Sequence, residues 1–169
     1  MNQTIFAVSA IFLFSSCASV VGLKKGVDEL GNPVCLTDCN EIPSVIENYI
    51  RTHDIITEED EIDYLLYRIR TSRKKFIRNG TETDGLSAAQ FLRWKIGWYE
   101  RRFNSKIETD EDFILKILRG SEKSGMPYEI IMPNGAKHNV QHVMLNEYVN
   151  LERYQGETPE LTSLNLLTS

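Results

Sequence analysis

Residues 87–103 read SAAQFLRWKIGWYERRF. Ala88, Leu92, Ile96, Tyr99 and Phe103 recur three or four apart and form one apolar stripe, the period of an α-helix. Trp94 and Trp98 form an i, i+4 pair on a second side. A helix at the edge of a domain buries one stripe, so a helix apolar on two sides is central to a bundle or meets a partner. Ser87-Ala88-Ala89-Gln90 has the form of a capping box and sets the expected start at Ser87.

Other helices extend outward from this one. Ile42, Val45, Ile46, Tyr49 and Ile50 keep the i, i+3, i+4, i+7, i+8 pattern, and Pro43 suits a first turn. Thr57-Glu58-Glu59-Asp60 is a capping box with Asp in place of Glu, followed by Ile62, Leu65, Leu66 and Ile69 on one face. Thr109 and Asp112 repeat the cap ahead of Phe113, Ile114, Ile117 and Leu118, and Gly120 ends that helix. Tyr128–Met132 (YEIIM), bounded by Pro127 and Pro133, reads as a strand, with a turn at Asn134-Gly135. Val140, Val143, Met144, Tyr148 and Leu151 make a last helix, expected to begin near His138 and to carry His138 and His142 at its surface. The expected fold is therefore mainly α: one small domain of four to five helices with a short β element, α+β being the alternative. The domain is expected over residues 41–154, after a tether at 18–40 and before a polar, loose tail at 155–169.

The N-terminus reads differently. Residues 1–23 carry no charged side chain, and Ile5–Phe14 is an apolar run of ten. A spanning helix needs about 20 apolar residues, whereas a signal-peptide core needs about this many. Ser15-Ser16-Cys17-Ala18-Ser19 follows at once. The segment resembles a bacterial lipoprotein signal over residues 1–17, with Cys17 as the lipidated residue. That implies a membrane-anchored lipoprotein of the cell envelope. Cleavage after Ala18, giving a secreted or periplasmic soluble protein, and an uncleaved anchor over Ile5–Leu23 are the alternatives. With Cys17 lipidated, Cys35 and Cys39 remain, and an oxidising compartment allows them to bond. Free thiols are the alternative, and a zinc site lacks a second Cys pair.

Bulk composition excludes several classes. The chain of 169 residues is 41% hydrophobic and 25% charged, with a net charge of −5. That excludes a multi-span membrane protein, a collagen-like repeat and a largely disordered chain. The acidic balance argues against a nucleic-acid binder. The charge is segregated, however: Arg68 to Lys106 holds 11 basic residues against three acids. Such a stretch attracts anions, or else consists of solvated helix ends.

Three segments point to a family: Phe76-Ile77-Arg78-Asn79-Gly80-Thr81-Glu82, Ala89-Gln90-Phe91-Leu92-Arg93-Trp94-Lys95, and Ser121-Glu122-Lys123-Ser124-Gly125-Met126-Pro127-Tyr128. In this order they resemble the YfeK-like proteins, small exported bacterial proteins of unknown function. The resemblance covers roughly residues 58–152. It implies an envelope location and a domain outline, and no reaction.

No segment carries a recognised catalytic motif, so no catalytic residue, metal or cofactor is assigned. A non-enzymatic role is favoured. The candidate ligand-binding residues are Arg73, Lys74, Lys75, Arg78, Asn79, Gly80, Glu82, Lys95, Ser121, Ser124, Gly125 and Tyr128. Asn79-Gly80 favours a tight turn, expected to present Arg78 and Glu82 side by side, either for a ligand or as a pair pinning the turn. The Ser121/Ser124/Gly125 loop offers backbone N–H groups to an anion. The leading expectation is an envelope lipoprotein that binds an anionic glycan, lipid or partner protein through its basic face. One alternative is an enzyme built from Arg78, Glu82, Lys95 and Ser124. Another is a structural or chaperone-like partner protein using the Trp94/Trp98 face.

Overall fold

The computed structural model describes residues 26–55 and 57–156. The expected signal segment, Cys17 and the tail beyond Gly156 lie outside the described residues. After a short 3₁₀ turn at Cys39–Glu41, the elements are α1 (Ile42–Ile50), α2 (Glu58–Thr71), β1 (Lys75–Arg78), β2 (Thr81–Asp84), α3 (Gly85–Phe103), α4 (Asp110–Asp112), β3 (Glu129–Ile131), β4 (Lys137–Asn139) and α5 (Val140–Gln155). α4 runs directly into a π-helical turn, Phe113–Ile117. The result is a mainly α domain of five helices with a four-stranded antiparallel sheet, ordered β2-β1-β3-β4.

Local chemistry sets the helix starts. At α2 the capping box closes in both directions: Asp60 N–H donates to Thr57 Oγ1 at 3.3 Å, and Thr57 N–H donates to Asp60 Oδ2 at 2.9 Å. At α3 the cap is Asp84, whose Oδ1 accepts from Ser87 N–H at 2.8 Å. The helix thus begins two residues before the expected Ser87, since a carboxylate on a strand end caps as well as a serine. Gly85 is forced by close approach: a Cβ there would lie 2.2 Å from the Ile69 carbonyl oxygen, at the end of α2.

The sheet is larger than the one strand expected. Asn79 (φ 51°) and Gly80 (φ 78°) both take positive φ, as a two-residue hairpin turn requires. Arg78 pairs with Thr81 and Ile77 with Glu82. Directly opposed residues share a face and successive ones alternate. Arg78 and Glu82 therefore leave the hairpin on opposite faces, which corrects the expected side-by-side pair. No ion pair joins them. His138 is also corrected: it is buried on β4, while Asn139 caps α5, so His138 and His142 share no helix face.

The core gathers Tyr64, Leu65 and Ile69 of α2, Phe113, Ile114, Ile117 and Leu118 around the π turn, Ile130 of β3, and Val143, Met144 and Leu151 of α5. The expected tether is, from Gly26 onward, part of this domain. Asn146 Nδ2 donates to the carbonyls of Gly26 (2.8 Å) and Val34 (2.9 Å), and Leu36 N–H donates to Glu147 Oε1 at 2.7 Å. Cys35 and Leu36 are buried. Such a segment needs no apolar period, because polar side chains of α5 hold its backbone. Glu147 also receives Arg68 Nε at 2.7 Å, and Arg68 in turn donates to Thr37 Oγ1 at 3.0 Å. Burial works against the Arg68 cation, and the Glu147 carboxylate more than offsets it. Cys35 and Cys39 form a disulfide with Cα atoms 5.4 Å apart.

Candidate functional site: an aromatic groove

The three segments singled out in the sequence meet in one groove of about 220 Å³. The β1–β2 turn supplies Arg78 and Asn79, α3 supplies Phe91, Trp94, Lys95 and Trp98, and the loop before β3 supplies Ser121, Glu122, Lys123 and Tyr128. The loop is fastened to the hairpin turn, since Ser124 Oγ donates to Asn79 Oδ1 at 2.7 Å.

Aromatic rings dominate the walls. Phe91 stands edge-on to Tyr128 with centroids 6.0 Å apart, and Trp94 lies 5.7 Å beyond Phe91. Trp94 and Trp98 follow at 6.3 Å with planes 24° apart, and Phe103 closes against Trp98 and Tyr99. The Arg78 guanidinium sits 4.0 Å from the Phe91 ring centroid, a cation–π contact. Trp94 is 55% exposed and Phe103 is 49% exposed. A second, more apolar cavity of about 260 Å³ adjoins the groove through Arg78, Phe91 and Tyr128 and reaches Glu82 and Ser87.

The polar candidates divide into exposed and committed groups. Lys95 is buried and donates to the carbonyls of Ile117 (2.8 Å) and Gly120 (2.6 Å), with Glu122 at 3.8 Å. It satisfies the end of the π turn, so its expected role as a free ligand group is corrected to that of an internal cap. Burial pushes its ammonium down to about 8, with Glu122 opposing. Burial likewise pushes the Tyr128 phenol up to about 12. The expected anion-binding loop is also corrected. Ser121, Gly125 and Met126 donate their N–H groups to Met126 O, Ser121 O and Ser124 Oγ within the loop. Gly80 sits at the hairpin tip. Arg73 and Lys75 are exposed and Lys74 half-buried where α2 leads into β1, and none of the three lines the groove. Arg68 turns inward to Glu147 and Arg93 pairs with Asp63.

The sequence reading missed a second cluster. Carboxylate oxygens of Glu58, Glu61 and Asp110 lie within 4.8 Å of one another. Burial, reinforced by Glu61 and Glu58, pushes the Asp110 carboxyl up to about 8. Its sequence signal was the acidic first turn behind each Thr cap, at Thr57 and Thr109.

These features define a small helical domain with a four-stranded sheet and an exposed aromatic groove. The chain belongs to DUF5329, a family of unknown function that matches residues 56–152. That span contains every groove residue and excludes the Cys35–Cys39 loop. No curated protein and no solved structure matches the chain. Among the described residues, no helix is long and apolar enough to cross a membrane.

Proposed function

We propose that this protein is a non-catalytic binding module whose partner protein docks in the groove walled by Phe91, Trp94, Trp98 and Tyr128. The carrying observation is the exposed aromatic row headed by Trp94. Leaving a large aromatic in water forgoes on the order of 2 kcal/mol of burial, and Trp, Tyr and Arg are the residues that dominate interface energies. Arg78 and Lys123 sit on the groove's lining, while its acid, Glu122, faces Lys95 and Arg119. The fitting occupant is therefore a segment with an apolar anchor beside a carboxylate. The rest of the proposal rests on the sequence. Cys17 carries a lipid anchor, the domain works in the cell envelope, and the chain is similar to the YfeK-like exported proteins.

The inward commitment of Arg68 and Lys95, and the surface pairing of Arg93 with Asp63, favour the groove over a general basic face. A peptide library panned on the wild-type domain and on Trp94→Ala tests the reading. Sequences with an aromatic or aliphatic residue next to Asp or Glu should be enriched on wild type and lost on the variant. Equal enrichment on both proteins contradicts it.

A further inference from the structure

The most unusual ionisable group in the domain lies outside the groove. Asp110 is only 4% exposed, and its Oδ2 is buried with no hydrogen-bond partner. Among the described residues no Lys or Arg pairs with it, and burial together with Glu61 and Glu58 beside it favours its neutral form.

Two capped helix starts aim acids at the same point. The Thr57–Asp60 box fixes the first turn of α2 and sets Glu58 and Glu61 on one side. Thr109 Oγ1 accepts from Asp112 N–H at 3.0 Å and fixes α4, with Asp110 as its first residue. Asp110 N–H donates to Glu58 Oε2 at 3.3 Å, and Gln155 Nε2 donates to Glu61 Oε1 at 2.9 Å. These bonds hold the two glutamates in place and leave Asp110 Oδ2 unmet. Helix dipoles account for acids at exposed first turns, but not for a buried carboxyl set against two more carboxylates.

We propose that Glu58, Glu61 and Asp110 form a binding site for a hard divalent cation, Ca²⁺ foremost, clamping the start of α2 to α4. The spacing fits. Oxygens on opposite sides of Ca²⁺ stand about 4.8 Å apart at ordinary Ca–O distances, and the three carboxylate oxygens here lie within 4.8 Å of one another. An all-oxygen donor set selects Ca²⁺, Mg²⁺ or Mn²⁺ over Zn²⁺ or Cu²⁺. Glu58 is exposed and Glu61 half-buried, which gives an ion a path in and leaves room for water ligands. This site is independent of the groove and of what binds there.

The test uses the full chain, stripped with a chelator and titrated with CaCl₂ by calorimetry and by thermal unfolding. The expected result is a saturable one-to-one isotherm in the range of about 10⁻⁴–10⁻³ M, with a melting midpoint that rises with Ca²⁺. Asp110→Asn should abolish both responses. Glu58→Gln, at an exposed position that folding tolerates, should weaken binding on the order of tenfold. Absence of heat and of a midpoint shift with Ca²⁺, Mg²⁺ and Mn²⁺ overturns the proposal. So does unchanged Ca²⁺ affinity in folded Glu58→Gln.

Discussion

Replacing Glu147 by Ala should unfold the domain in a specific order. Glu147 is fully buried and accepts three bonds: Arg68 Nε at 2.7 Å, Arg68 Nη2 at 3.2 Å and Leu36 N–H at 2.7 Å. Removing one partner of a buried pair costs about 3–5 kcal/mol, because the other charge is stranded. The orphaned Leu36 N–H adds a cost of about 1–3 kcal/mol, which overlaps the first since both act through one carboxylate. A net loss of about 4 kcal/mol is a large part of the 5–15 kcal/mol typical of a domain. It should lower Tm on the order of 15 °C. Urea unfolding followed by circular dichroism measures the loss. Hydrogen exchange at Leu36 should show residues 26–41 detaching before the core opens. The double variant Arg68→Met, Glu147→Leu should recover the part due to the stranded Arg68 charge, since an apolar pair of similar volume replaces a buried ion pair at little cost, while the Leu36 N–H stays unmet. A Glu147→Ala penalty under about 1 kcal/mol, or a double variant as unstable as the single, refutes the reasoning.

Other perturbations follow from the same geometry. Lys95 titrates near 8 in the fold against 10.5 in its ordinary state. Between those values the unfolded chain holds the extra proton, so this group makes stability rise with pH, on the order of 3 kcal/mol in all. Urea midpoints at several pH values from 8 to 10, above the Asp110 range and below that of the buried tyrosines, should show the wild type gaining stability relative to Lys95→Met as pH rises. Gly85→Ala puts a Cβ against the Ile69 carbonyl and should cost about 2 kcal/mol or more; a neutral variant in thermal unfolding would mean that α3 starts elsewhere. Thr57→Ala removes the α2 cap and should cost about 1 kcal/mol by urea titration. Reduction of Cys35–Cys39, a separation of only four, should cost about 2 kcal/mol by loop-closure entropy. A far larger loss would mean that the bond holds the buried segment at Leu36 in place.

The periodic parts of the fold were legible. The Thr57–Asp60 box and the stripes of α1, α2, α3 and α5 follow from side-chain spacing, which local sequence encodes directly. The β1–β2 hairpin was not, because β2 is Thr-Glu-Thr-Asp, a polar edge strand with no apolar alternation. The turn itself, Asn79-Gly80, was read correctly without its strands. Residues 26–40 were misread as a tether because α5 holds them through Asn146 and Glu147, more than a hundred positions away in the chain. The site was half legible. Arg78, Ser124 and Tyr128 were named, and the structure brings their segments together around α3. The role of Lys95 was hidden, since no local pattern announces a lysine that caps carbonyls of a π turn. Asp110 was hidden for a similar reason, as its burial depends on α2 crossing α4.

The groove stands or falls on whether a partner occupies it in the cell. A photo-crosslinking amino acid placed at position 94 or 98, with position 59 on the exposed side of α2 as the control, measures this directly. The account predicts one discrete adduct from positions 94 and 98, none from 59, and its loss when Arg78→Glu is added. Equal adducts from all three positions, or an adduct unaffected by Arg78→Glu, contradict it.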